Sequence, residues 1–190
     1  MSRLVFLLEE YSMKVLLEGL VPRLHPELRF LCVPHEGKRD LESSIPHKLK
    51  AWRERGVQFC VVRDNDGADC RALKQRLVES CRAAGKPGTL VRLACQELEA
   101  WYFGEPEGLN RAFGRQDLGD LHRRARFRDP DAVAQPGNAL AELVDEFQKV
   151  SGARRMAEVL TRNNRSRSFQ VFIAGIDRLA AAVSSARRSD

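Results

Sequence analysis

Four short apolar runs, Arg3–Leu8, Leu28–Val33, Val57–Val62 and Thr89–Cys95, recur along the first half of the chain with a helical segment between each pair. Their apolar character is continuous rather than alternating. Such runs mark strands buried on both faces, which occur almost only in parallel sheets covered by helices on each side. The intervening segments fit that role. Ser12 to Leu24 places Met13, Leu16, Leu17, Leu20 and Val21 on one face, with Ser12 as N-cap. Leu41 to Arg55 is interrupted by Pro46 and stopped by Gly56, and Ala68 to Ala84 presents Leu73, Leu77 and Cys81 ahead of Gly85. Strands alternating with helices over short connections predict an α/β fold, a doubly wound, mainly parallel four-stranded sheet.

After Trp101 the pattern changes. Glu97–Phe103 and Glu107–Phe113 predict short helices, and 114–137 a polar, Arg-rich surface segment carrying Pro130 and Pro136. Asn138–Val150, Ala153–Thr161 and Phe169–Ser185 predict closing helices, with fraying from Ser184 to Asp190. The expected organisation is an α/β core over residues 1–104 and a helical, Arg-rich extension, 105–190, packed on it.

Three of the four strands run straight into acids. Glu9-Glu10 follows the first, Asp64-Asn65-Asp66 the third, and Glu97 and Glu99 the fourth. In a parallel sheet these ends lie along one edge, where ligands of open α/β sheets bind. Carboxylates crowded there are unstable unless protons or a divalent cation neutralise them. The pattern therefore points to a Mg²⁺ (or Mn²⁺) site and to phosphate chemistry.

Charge and cysteine usage narrow the setting. The net charge is +6, unevenly spread: residues 1–121 hold 19 Lys/Arg against 18 Asp/Glu, and residues 122–190 hold 13 against 8. Clustered Lys and Arg reward nucleic-acid binding through counterion release, and serve equally as a solvated surface. No apolar run approaches the roughly 20 residues of a membrane span. The stretch Leu4–Leu8 is too brief for a signal-peptide core, so the expected location is cytoplasmic. Five cysteines without a Cys-x-x-Cys pair indicate neither a disulfide framework nor a zinc site.

Five motifs carry a resemblance. They are Leu7-Leu8-Glu9-Glu10-Tyr11-Ser12, His35-Glu36-Gly37-Lys38, Arg63-Asp64-Asn65-Asp66, the run Cys95-Gln96-Glu97-Leu98-Glu99-Ala100-Trp101, and Asn164 to Phe169. Together they resemble an uncharacterised bacterial family of Toprim-like proteins, related to the Toprim domain of overcoming-lysogenization-defect nucleases and often encoded beside AAA-type ATPases. The resemblance implies a Toprim-like fold, a Mg²⁺-dependent phosphodiester reaction, and a place as effector partner of an ATPase in anti-phage defence. It also implies roles: Asp64 and Asp66 bind the ion, Glu9 is a further ligand or the general acid–base group, and Glu97, with Glu99 behind it, completes a second metal position. Many Toprim members have Glu-Gly where this chain has Glu9-Glu10, which leaves open which glutamate faces the site; Glu9 is preferred.

Each feature has a plainer reading. Asp-x-Asp-Gly after a strand also makes a turn that caps the next helix, and Glu97 and Glu99 also suit a helix N-terminus. Trp101 reads as a core anchor, and His35 and His47 as loop or surface residues. Lys38, Arg124, Arg126, Arg165 and Arg167 are candidate contacts to DNA or RNA phosphates. Phe127 serves as a base-stacking ring or a buried anchor, and Ser166 and Ser168 as helix caps. Two rivals stand beside the nuclease. One is a non-catalytic Toprim-like module that binds an ATPase or nucleic acid. The other is a receiver-like phosphoacceptor domain, disfavoured because Gln96-Glu97 stands where such domains need a hydroxyl residue. The sequence leaves the oligomeric state open.

Overall fold

The structure, a computed structural model, describes residues 3–188. Four parallel strands, β1 (Arg3–Leu8), β2 (Phe30–Pro34), β3 (Val57–Asp64) and β4 (Leu90–Ala94), form one sheet in the order β2-β1-β3-β4. Helices α1 (Tyr11–Leu24), α2 (Lys38–Ala51) and α3 (Cys70–Ala83) make the three crossovers. The chain first steps outward from β1 to β2, and α2 then carries it back past β1 to β3. That reversal separates the ends of β1 and β3 and opens the crevice in which such sheets bind ligands. The register levels the strand ends: Leu8 lies opposite Pro34 and Val62, and Asp64 opposite Ala94.

Alternate side chains of each strand feed two cores. Val5, Leu7, Phe59 and Val61 pack with Leu41, Ile45 and Leu49 of α2 and with Leu73, Leu77 and Cys81 of α3. Leu4, Phe6, Leu8, Cys60 and Val62 face α1 and the helices that follow the sheet. Those are α4 (Ala100–Phe103), α5 (Pro106–Phe113), α6 (Pro136–Leu143), α7 (Lys149–Val159) and α8 (Arg167–Arg188). Helix α8 lies on β4 and β1, and α7 lies on α1. The α1–α7 approach is close: a Cβ on Gly19 would stand 2.7 Å from Ala157 Cβ.

The second half departs from expectation where packing replaces periodicity. Between α5 and α6 three single-turn 3-10 helices, Leu121–Arg123, Ala125–Phe127 and Pro130–Ala132, bury Leu118, Leu121, Phe127 and Val133. The segment 114–137 is thus part of the core rather than a surface loop, and Phe127 stacks on Phe103 at 4.9 Å. Pro136 opens α6 at a position where its missing N–H costs nothing. Pro46 sits inside α2, which starts earlier and ends sooner than expected. The predicted 138–150 helix breaks after Leu143 and restarts at Lys149. Helix α8 runs to Arg188, so of the expected frayed end only Ser189 and Asp190 lie outside the described residues.

Helix α8 starts at a polar knot. Ser166 Oγ accepts from Phe169 N, an N-cap bond, and donates to Asp131 Oδ1 at 2.7 Å. Ser168 N donates to Asp131 Oδ2, and Ser168 Oγ accepts from Trp101 Nε1. Asn164 Nδ2 donates to the Trp101 carbonyl at 2.8 Å. The knot explains Gly104, where a Cβ would fall 1.9 Å from Asn164 Oδ1. Trp101 is fully buried between Phe169 and Phe172, a core anchor.

Candidate functional site

The strand ends gather the acids. Glu9 follows β1 directly, and its Oε2 accepts from Asp64 N at 3.1 Å. Arg63 Nε lies 3.6 Å from the same oxygen, while Arg63 Nη1 reaches Glu42 Oε1 at 2.9 Å. Burial, and then the Asp66 carboxylate, push the Glu9 pKa up; the Asp64 N–H and Arg63 pull it partly back.

Asp64 ends β3 at 4 % exposure, and its Oδ1 has no hydrogen-bond donor. Burial above all, then Glu99, Glu9 and Glu10, hold its pKa well above the usual carboxylate range. The loop behind it is pinned to the β4 end. Asn65 N donates to Ala94 O, Gln96 N to Asn65 Oδ1, and Asp66 N to Gln96 O. These bonds hold Asp66 and Gln96 at positive φ, 48° and 63°. Asp66 itself turns outward and pairs with Lys38 Nζ at 2.9 Å.

The turn after β4 delivers the deepest acid. Helix α4 begins only at Ala100, because Ala100, Trp101 and Tyr102 donate three residues back to Glu97, Leu98 and Glu99. This tight winding separates the two glutamates. Glu97 Oε2 accepts from Gly137 N at 2.8 Å at the start of α6. Glu99 is 0 % exposed, and neither carboxylate oxygen has a donor. Burial lifts its pKa to about 7 against the pull of Lys149.

Lys149 is the cation on the Glu10 and Glu99 side of the cluster, and sequence reasoning missed it. It opens α7, its Nζ stands 3.7 Å from Glu10 Oε2, and burial pulls its pKa down. Glu99, Glu10, Glu97 and Asp64 outweigh that pull and leave it raised. Glu10 therefore also belongs to the rim, on the Lys149 side, while Glu9 occupies the Arg63 side. Tyr102 was missed as well: its hydroxyl is buried without a partner, and burial, then Glu99, Glu10 and Asp64, raise its pKa strongly. His35, expected on a loop surface, is buried at the end of β2, where its Nδ1 meets Leu8 O at 2.8 Å and its Nε2 has no partner. For Tyr102 and His35 the only signal was a phenolic or imidazole side chain beside an apolar run; Lys149, between Gln148 and Val150, had none.

The basic candidates do not join the carboxylates. Arg126 pairs with Glu142 at 2.5 Å, and Arg165 Nη2 donates to Arg128 O at 2.9 Å. Arg124 and Arg167 are exposed. Lys38 alone reaches the rim, through Asp66.

A cation-binding role can be tested on these atoms. The donors are all oxygen, and three buried ones, Asp64 Oδ1 and both of Glu99, lack any partner. That is the donor chemistry hard cations take. Among the described residues no three His, Cys, Asp or Glu side chains are already drawn together at ligand spacing. The residues fit the ion in kind, and Lys149 adds a positive charge beside them.

A family model described as "Domain of unknown function (DUF4276)" matches residues 8–177. No curated protein matches. Among solved structures, the chain is similar to the C-terminal region of the Xanthomonas campestris pv. campestris OLD protein, at 14 % identity and TM-score 0.59, over 98 % of each chain. It is also similar to the C-terminal region of the Burkholderia pseudomallei OLD protein, at 16 % identity and TM-score 0.57, over 95 % of this chain and 99 % of that one. At these identities the likeness is one of fold, and it agrees with the Toprim-like α/β architecture. Among the described residues no helix is long and apolar enough to cross a membrane.

Proposed function

The chain belongs to the DUF4276 family, and from its acidic rim we propose that it carries out Mg²⁺-dependent phosphodiester chemistry on nucleic acid. The observation that carries the reading is the set of partnerless buried oxygens on Asp64 and Glu99, placed at the β1/β3 reversal beside Glu9 and Glu10. Leaving buried charge uncompensated costs several kcal/mol per group, so such atoms call for a proton or a cation.

Asp64 and Glu9 would hold Mg²⁺ or Mn²⁺ and Glu99 would serve a second position, while Asp66 would have to leave Lys38, and Glu97 the Gly137 N–H, to join them. When bound, the ion polarises the phosphodiester and lowers the pKa of an attacking water. Where Glu9 does not itself ligate the ion it is the proton-handling group: its carboxyl is raised by burial, and Arg63 and the Asp64 N–H fix its orientation. Glu99, near neutrality in its affinity for a proton, accepts or returns one as charge in the site changes. Lys149 balances the acids before a dication arrives and competes with it afterwards. The helical part after residue 104 thereby completes a site that the first 104 residues begin. An AAA-type ATPase and a DNA or RNA strand are the partners this reading implies.

The test incubates plasmid, single-stranded DNA and RNA with the protein and Mg²⁺ or Mn²⁺, alongside Mn²⁺ titration calorimetry. Asp64→Ala is expected to lose at least ~100-fold in cleavage and most of the Mn²⁺ heat. Equal cleavage and equal Mn²⁺ binding by both proteins would end the assignment. One observation favours a non-catalytic module instead: Lys149 already sits among the carboxylates. Tight binding of nucleic acid or an ATPase without metal-dependent turnover would establish that second reading.

A further inference from the structure

Along the outer edge of β4, between α3 and the start of α8, lies a cavity of about 200 Å³. It is lined by Val91, Leu93 and Val171 together with three cations, Lys74, Arg92 and Arg167. None of the three forms an ion pair with a described residue. Arg92 is only 7 % exposed, and its guanidinium donates to backbone carbonyls alone, Val171 O at 3.0 Å and Val91 O at 2.9 Å. The one carboxylate lining the cavity, Asp131, is already taken up by Ser166 and Ser168. Three cationic heads against one carboxylate leave the recess net positive, which favours an anion.

The recess adjoins the acidic rim. Cys70 and Cys95 line it, and Asn65 Nδ2 donates to Cys70 Sγ at 3.1 Å. It therefore lies just across the Asp64–Asp66 loop from the partnerless oxygens. The bare strand edge does not select a peptide. Arg92 Nη1 caps Val91 O and Ser168 Oγ takes the N–H of Cys95, so two of its ladder groups are occupied. The size also discriminates: drug-sized ligands need pockets of roughly 300–1,000 Å³, whereas this one suits a single base or sugar.

We propose that this cavity seats one nucleotide of a single-stranded polynucleotide. Its phosphate lies against Lys74 and Arg167, and its base or sugar against Val91, Leu93 and Val171, as the strand passes to the carboxylates. The inference rests on the nucleic-acid reading above and adds the strand type. Paired bases are stacked inside a duplex and cannot enter such a recess, while an unpaired one can.

The experiment measures anisotropy of a labelled single-stranded DNA and of its duplex, in EDTA so that no cleavage intervenes. Two charge reversals, Lys74→Glu with Arg167→Glu, are expected to weaken single-strand binding at least ~10-fold and to lower the log–log salt slope by ~1.4. Both side chains are exposed, and an acid at the α8 N-terminus suits the helix dipole, so the fold should survive. Val171→Trp fills the recess without changing charge and is expected to weaken the single strand while sparing the duplex. Lys50→Glu, on the exposed side of α2, is expected to change either by less than ~2-fold. Unchanged affinity in the double variant, or equal losses for single strand and duplex, would overturn the inference. Wild-type cleavage that survives the double variant with KM unaltered would sink the subsite and leave the proposed chemistry standing. Cavity-dependent binding with no metal-dependent cleavage by wild type would do the reverse.

Discussion

Glu99 shows what a buried acid does to the pH response of a fold. Its pKa is lifted from the ordinary 4.5 to about 7, so between those values the folded chain keeps a proton that the unfolded chain has released. Stability from this group is complete below about pH 4.5 and is lost as pH rises toward 7. Asp64 and Glu9 are raised in the same direction. These three acids therefore favour the fold at pH 5 over pH 8, while His25, whose pKa burial lowers, works the other way. Glu99→Gln, which mimics the protonated acid, should gain up to ~3 kcal/mol at pH 8 and little at pH 4, read from urea midpoints. A variant no more stable than wild type at pH 8 would mean that Glu99 does not carry an uncompensated charge. That Glu99 lies deeper than Glu97 was not legible in the sequence. Two glutamates two residues apart differ in depth only through the three-residue winding that precedes α4. Glu9 and Asp64 were legible, because a continuous apolar run ending in an acid specifies both a buried strand and a charge at its carboxyl end.

At the scale of elements, the four strands and α1–α3 could be read because burial on both sheet faces leaves a sequence with little choice of residue. Their ends shifted by a few positions, as with α2, where Pro46 is absorbed rather than breaking the helix. The stretch between α5 and α6 hid its core residues because single 3-10 turns impose no recurring period: Leu118, Leu121 and Phe127 look like isolated apolar residues among arginines. Lys149 was hidden for a related reason, since nothing in a helix start says that it packs against a distant strand end. The α1–α7 crossing is what places it. Gly19→Ala would bring a methyl to 2.7 Å from Ala157 Cβ and push α7 away. The expected result is a loss of 1–3 kcal/mol or so in urea unfolding, with weaker Mn²⁺ binding relative to a control substitution on the exposed face of α1. A fully stable Gly19→Ala protein would show that the two helices can separate freely.

For the molecule as a whole, metal occupancy and proton occupancy answer the same electrostatic demand. Millimolar Mg²⁺ at pH 8 should raise the melting temperature, since a ligand of the folded state alone stabilises it by mass action. At pH 5 the protonated acids leave less for the ion to neutralise, so the shift should be smaller. Lys149→Met should enlarge the shift at pH 8, because the ion then replaces a missing charge rather than displacing a present one. Scanning calorimetry at the two pH values decides it, and an identical shift in all three conditions would detach the metal from this rim. The placement of Lys149 has one last consequence. The acids come from the first hundred residues or so and their counterweight from α7, so a fragment ending before α7 should fold less stably at pH 8 than at pH 5.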